Sequence, residues 1–203
     1  MSIKQNILAQ FKHPHGCLGQ LAGYIMANRP SNIERNDWTL ELLDLKPTDR
    51  VLEVGFGPGI AIEKTNQVIN DGLIVGIDHS ETMLHQAKKR NAAAIKQGKV
   101  ELHLADVNSI PSYNQSFDKI YSANVVQFWN NPEMNFARLY DVLATGGKIA
   151  TTYMPRHRGA TNADGQQKAN EIMECLKTVG FKNIQLKEKP LKSISVFCVL
   201  AEK

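Results

Sequence analysis

Short apolar runs alternate with longer stretches of helical periodicity along most of this chain. The runs fall at residues 51–54, 73–78, 100–104, 117–122 and 148–153, each bounded by turn residues. The first two, nearly continuous in apolar character, predict strands buried on both faces, and the other three read as further strands of the same sheet. Helical patterns fill the gaps. One starts at Ile60, directly after the first run. In the next, Met83, Leu84, Ala87, Asn91, Ala94 and Ile95 share one face, with Ser80 as N-cap, Glu81 in the first turn and Gly98 at the end. Asn131-Pro132 opens another, whose apolar face carries Phe136, Leu139, Tyr140 and Leu143 before Gly146-Gly147 stops it. Strands alternating with helices predict an α/β domain around a parallel sheet. The end of the chain breaks the alternation. A helix over residues 162–179 turns Ile172, Cys175, Leu176 and Val179 inward and stops at Gly180. Residues 182–188 and 194–200 then read as two strands joined through Lys189-Pro190, and so short a connection requires an antiparallel pair.

Two further helices precede the first strand. Leu18, Leu21, Ala22, Ile25 and Met26 lie at i, i+3, i+4, i+7 and i+8, with Gly19 and Gly23 thinning one side. Residues 33–43 form the second, on which Trp38 packs onto the sheet or lines a pocket.

Composition narrows the class. The 203 residues suit one domain with a sizeable core, and 42% hydrophobic with 22% charged residues is ordinary for a soluble globular protein. The net charge of +4 is too mild to point to nucleic acid, and the one dense basic run, Lys88-Lys89-Arg90, reads as a solvated helix face. Three scattered cysteines, Cys17, Cys175 and Cys198, make no disulfide framework and fit a reducing compartment. The first residues lack a signal-peptide pattern and no apolar run is long enough to span a membrane, so a cytoplasmic protein is expected.

The candidate chemistry sits at the first strand. Residues 51–59 read V-L-E-V-G-F-G-P-G, a strand that runs into glycines at alternate positions, Gly55, Gly57 and Gly59, before a helix. Glycines suit a tight turn with unusual φ/ψ angles and let a ligand touch backbone. With Glu53 ahead of the glycines, this segment resembles motif I of the class I S-adenosylmethionine (SAM) dependent methyltransferases. The likeness extends over residues 38–203, because five strand–helix units closed by a hairpin is that family's architecture. It implies a Rossmann-like, seven-stranded, mostly parallel sheet with a C-terminal antiparallel β-hairpin and helices on both faces. It also implies SAM as cofactor, S-adenosylhomocysteine (SAH) as product, and two regions: a helical arm at residues 1–32, acting as a lid, and a methyltransferase domain at residues 33–203.

Site residues follow strand end by strand end. Asp78 ends the second run roughly twenty residues beyond the glycine loop, the spacing of an acid that binds ribose hydroxyls, or else caps the next helix. His79 packs beside the adenosine or faces solvent. The resemblance implies that Asp106 accepts from the adenine amino group and that Val107 touches the ring, with an Asx-turn or cap role as the alternative for Asp106. It places Glu53 beside the sulfonium and amino end, and Asn124 at the methionine moiety. Gln127, Trp129, Tyr153 and Arg156, with Tyr24 of the arm, are the substrate-pocket candidates; Trp129 fits core packing as well. Tyr153 and His157 are the candidate bases, should the nucleophile be a hydroxyl. The family's N-P-P-Y and Pro-Cys signatures for nucleic-acid chemistry are missing after the fourth strand. No acidic metal triad is evident, and proline and glycine interrupt His13, His15 and Cys17, so no metal is expected.

The expected function is methyl transfer to a small-molecule acceptor. The alternatives are a lipid or quinone headgroup methylated at a membrane surface, and a SAM-binding module without turnover.

Overall fold

The computed structural model describes Gly23 and residues 28–203. Seven strands, β1 (Arg50–Val54), β2 (Leu73–Asp78), β3 (Val100–Leu104), β4 (Phe117–Ala123), β5 (Leu143–Tyr153), β6 (Lys182–Lys189) and β7 (Val196–Glu202), form one sheet in the order β3-β2-β1-β4-β5-β7-β6. Strands β1 to β5 are parallel; β7 enters antiparallel between β5 and β6. The helices are α1 (Pro30–Leu43), α2 (Ile60–Thr65), α3 (Glu81–Arg90), α4 (Ala92–Lys96), α5 (Pro132–Val142) and α6 (Asn162–Val179).

The two-residue period of the strands divides the core. Leu52, Val54, Val75, Ile77 and Ile120 face one side, where they pack with Phe136 and Leu139 of α5 and Ile172 and Leu176 of α6. Val51, Ile74 and Tyr121 face the other, against Trp38 and Leu43 of α1, Ile62 of α2 and Met83 and Ala87 of α3. Helices cover both faces, as continuous apolar strands require. The architecture is the Rossmann-like sheet with a terminal antiparallel hairpin.

Capping residues set the helix starts. Ser80 Oγ accepts from the Met83 N–H at 3.3 Å, and Asn131 Oδ1 from the Met134 N–H at 3.1 Å. Thr161 and Asp164 cap α6 reciprocally, and Gly180 ends it at φ 106°.

Four elements differ from their sequence pattern. The helix expected from Ser80 to Gly98 breaks at Asn91. That buried amide donates to the carbonyl of Ala87 at 3.0 Å and to that of Gly59 at 3.1 Å, so a contact outside the helix sets the break. Strand β5 begins at Leu143, pairing with Phe117 ahead of the Gly146-Gly147 turn signal. The hairpin turn is longer than expected, running from residue 190 to 195, and the Ser195 N–H in it donates to Asn162 Oδ1 at 2.8 Å. Helix α1 starts at Pro30, so it crosses the boundary expected between arm and domain. Tyr24 and the apolar face of the arm lie outside the described residues, as do His13, His15 and Cys17. Gly23 is described and buried, and a Cβ there would meet Gln86 and Met83 of α3.

Candidate active site

The chain leaves β1 through the three glycines, all with positive φ: Gly55 at 74°, Gly57 at 52° and Gly59 at 78°. The Gly55 N–H donates to the Ile77 carbonyl at 2.8 Å, which ties the turn to β2. Gly55 and Gly59 are also required sterically. An added Cβ would lie 2.4 Å from Val125 Cγ2 at the first and 2.9 Å from Ala87 Cα at the second. At Gly57 it would meet nothing within 4 Å. The backbone there borders open space, the arrangement that lets a ligand approach the chain.

That space belongs to a cavity of about 310 Å³ at the C-terminal edge of the sheet. Strands β1 and β4 are neighbours there, while β2 and β3 lie to one side and β5 to the other. This is the switch point where open α/β folds bind ligands. Glu53, Gly55 and Gly57 line the cavity from β1 and its turn, Asp78 and His79 from the end of β2, Asn124, Gln127 and Phe128 from the segment after β4, and Arg156 from beyond β5. Helix α1 and its N-cap close one side with Arg29, Asn32, Arg35 and Asn36.

The carboxylates are held in different ways. Asp78 Oδ2 accepts from the Gly57 N–H at 2.8 Å, and Oδ1 from the Ser80 N–H at 2.9 Å. Burial raises its pKa against the pull of those donors. A carboxylate offers about four lone-pair sites, so acceptor capacity remains on the cavity side. Glu53 accepts from the Tyr121 hydroxyl at 2.7 Å, and Tyr121 pairs with Thr65 Oγ1 at 3.1 Å. Burial pushes Glu53 up to about 8, and nearby Asp78 adds to the rise. Asn124 sits at φ 58°, and its amide donates to the Met154 carbonyl at 2.8 Å while accepting from the Met154 N–H at 2.9 Å. Its side chain therefore clasps the ends of β4 and β5 together. Its carbonyl accepts from Gln127 Nε2 at 2.6 Å.

The fold thus gathers Glu53, Gly55, Gly57, Asp78, His79, Asn124, Gln127 and Arg156 around one space. Other candidates stand apart from its lining. Gly59 is the N-cap of α2. Asp106 caps a short 3-10 turn through Asn108 and Ser109, and Val107 is buried in the core. Trp129 packs edge-on to Phe136 with centroids 5.1 Å apart. Tyr153 is buried where β5 pairs with Phe197 of β7, and exposed His157 lies 3.6 Å from Asp164. The α1 residues were not among the candidates. Asn32, Arg35, Asn36 and Thr39 follow helical spacing, but only the packing of α1 shows that this polar stripe faces inward.

Known proteins share the fold. A methyltransferase-domain family profile matches residues 51–147. The chain is 32% identical over 183 residues to the uncharacterized methyltransferase YdaC of Bacillus subtilis, covering 90% of this chain and 98% of that one. The chain belongs to the class I SAM-dependent methyltransferase family. Within this family it is also 28% identical to 2-methyl-6-phytyl-1,4-hydroquinone methyltransferase 2 of Oryza sativa, over 76% of this chain and 47% of the relative. The solved structure of the N-methyltransferase NodS from Bradyrhizobium japonicum, a complex with SAH, shares the fold with a TM-score of 0.72 at 15% identity, covering 98% and 97% of the two chains. For a class I methyltransferase, the cavity at the β1–β4 switch point is the candidate site of cofactor and acceptor.

Proposed function

We propose that this methyltransferase transfers a methyl group from SAM to a small-molecule acceptor in the cavity at the β1–β4 edge. One observation carries the reading: Gly57 faces open space in a cavity that Glu53, Asp78 and Asn124 also line, from three adjacent strand ends. Bound SAM would supply the activated methyl group, so the chain has to orient, to enclose and to exclude water. Asp78 accepts from the ribose hydroxyls with its remaining lone pairs. The backbone at Gly55 and Gly57 borders the methionine portion, and Glu53 faces its positive charge. Asp106 spends Oδ1 on its cap, which leaves Oδ2 for the adenine amino group. Asn124 keeps the segment after β4 at its height and through Gln127 shapes the acceptor side. Residues 1–32 are proposed as the cover, a reading supported by Arg29 and Asn32, which line the cavity.

A hydroquinone acceptor is the second reading, supported by the likeness to the rice enzyme. The test is a panel of small acids, amines, phenols and vesicle-embedded hydroquinones assayed for SAH formation. Turnover with a water-soluble acceptor is expected. Turnover confined to vesicles supports the second reading, and SAM binding without SAH release from any acceptor supports a non-catalytic module.

A further inference from the structure

The α1 side of the cavity is unusually cationic. Arg29, Arg35 and Arg156 all line it, and none makes an ion pair with a carboxylate among the described residues. Arg35 is buried, at 7% exposure, and its Nε has no hydrogen-bond partner. Its other contacts are neutral amides: Nη1 donates to Asn32 Oδ1 at 3.1 Å and Nη2 to Asn36 Oδ1 at 3.4 Å. Arg156 Nη2 donates to the same Asn32 oxygen at 2.8 Å and to Ser31 Oγ at 3.1 Å. One neutral oxygen thus holds two guanidinium groups side by side. Burial, with repulsion from Arg156 and Arg29, brings Arg35 down to about 9 against the pull of Glu53, and burial with repulsion from Arg29 brings Arg156 to about 10. A buried cation without a counter-charge is costly, so such a cluster is built for an anion.

The cofactor does not supply enough negative charge. SAM carries one carboxylate against an ammonium and a sulfonium, so its arrival makes the cavity more positive. Position separates the functions as well. Asp78 ends β2, while Arg156 follows β5, three strands along the sheet, or roughly 14 Å at strand spacing. The ribose end and the arginine end are therefore opposite ends of the cavity, with Glu53 and Asn124 between them.

We propose that the methyl acceptor bears an anionic oxyacid group, a carboxylate or a phosphate, seated on Arg156 and Arg35 at the β5 end of the cavity. This rests on the methyltransferase reading above and excludes a neutral hydroquinone as the acceptor. Planar guanidinium groups match either oxyanion with paired hydrogen bonds.

The experiment is calorimetry on the full chain saturated with SAH, titrated with inorganic phosphate, with benzoate, and with benzamide as the neutral isostere of benzoate. Saturable binding of phosphate or benzoate, with benzamide at least roughly tenfold weaker, is the expected result. The stronger of the two anions identifies the class of oxyacid. Arg156→Gln should lose roughly tenfold or more in anion affinity while SAH affinity stays within about twofold, and Arg156→Lys should recover part of the loss. Arg156 is the variant of choice because Arg35 is buried in the fold; thermal melts confirm that each variant is folded. Equal binding of benzoate and benzamide, or no anion binding to the SAH complex, overturns the proposal. So does a loss of SAH affinity in Arg156→Gln as large as the loss of anion affinity, because the arginine would then serve the cofactor carboxylate. Failure of SAH to bind the unmodified chain overturns instead the cofactor reading on which the proposal rests.

Discussion

Replacing Asp78 with alanine should separate cofactor binding from folding. In the structure its carboxylate accepts from the N–H groups of Gly57 and Ser80, one on each oxygen, and keeps lone pairs for the cavity. The proposed ribose contacts use that remaining capacity, in hydrogen bonds with a charged acceptor. Alanine leaves two ligand hydroxyls unpaired in a partly closed site, a loss of about 1.5–3 kcal/mol. That is roughly a 10- to 150-fold rise in the SAH dissociation constant. The Gly57 and Ser80 amides also lose their acceptor, so the melting temperature should fall. The fold should persist, because Gly55 stays tied to Ile77 through backbone alone. Asp78→Asn keeps shape and one acceptor and should fall between alanine and the parent. Calorimetry with SAH, beside near-ultraviolet circular dichroism for folding, measures both effects. An unchanged dissociation constant in a folded Asp78→Ala protein would refute the ribose assignment.

Three further outcomes are expected. Glu53 is raised from 4.5 to about 8, so the folded chain keeps a proton that the unfolded chain releases between those values. Stability should therefore fall as pH rises from about 4.5 to 8, and SAM affinity relative to SAH should climb to about pH 8 and then level, because the sulfonium favours the ionised carboxylate. Parallel SAM and SAH titrations across pH check this; an equal slope in Glu53→Gln would remove Glu53 from the account. Gly59→Ala sets a Cβ against Ala87 Cα and should lower stability, whereas Gly57→Ala meets open space, so its strain of about 1–2 kcal/mol from the left-handed backbone should come with a larger loss of SAH affinity. Removing residues 1–27 should leave a folded domain with weaker SAH retention and little methyl transfer; unaltered turnover in a transfer assay would exclude the cover role.

Strand-end residues were legible because the signal is local. Glu53, Gly55, Gly57 and Asp78 sit inside or directly after short apolar runs, and the position of a run in a parallel sheet places its C-terminal end at the ligand edge. Helix α6 was legible to the residue because Gly180 ends it and its apolar positions recur without interruption. Other features depend on partners far along the chain. Asn91 breaks a continuous helical pattern because its amide reaches Gly59, 32 residues earlier. Tyr153 lies at the functional end of β5, yet the two-residue alternation of the strand puts its ring in the core on the α5 and α6 face of the sheet, away from the α1 side that lines the cavity. Asn124 lines the cavity as its place after β4 suggested, but its second role, a clasp between two strand ends, depends on Met154, 30 residues later, which offers both a donor and an acceptor to its amide. The α1 half of the site was hidden for a related reason. Polar residues on a helix are read as solvent-facing, and only the packing of α1 onto β4 and β5 turns Arg35 inward.

Calorimetry of the full chain with SAM, SAH and NAD tests most directly whether the β1–β4 cavity is a SAM site. Stoichiometric binding of both SAM and SAH, weakened in Asp78→Ala, with no binding of NAD, is expected. Binding of NAD without binding of SAM or SAH would contradict a SAM site.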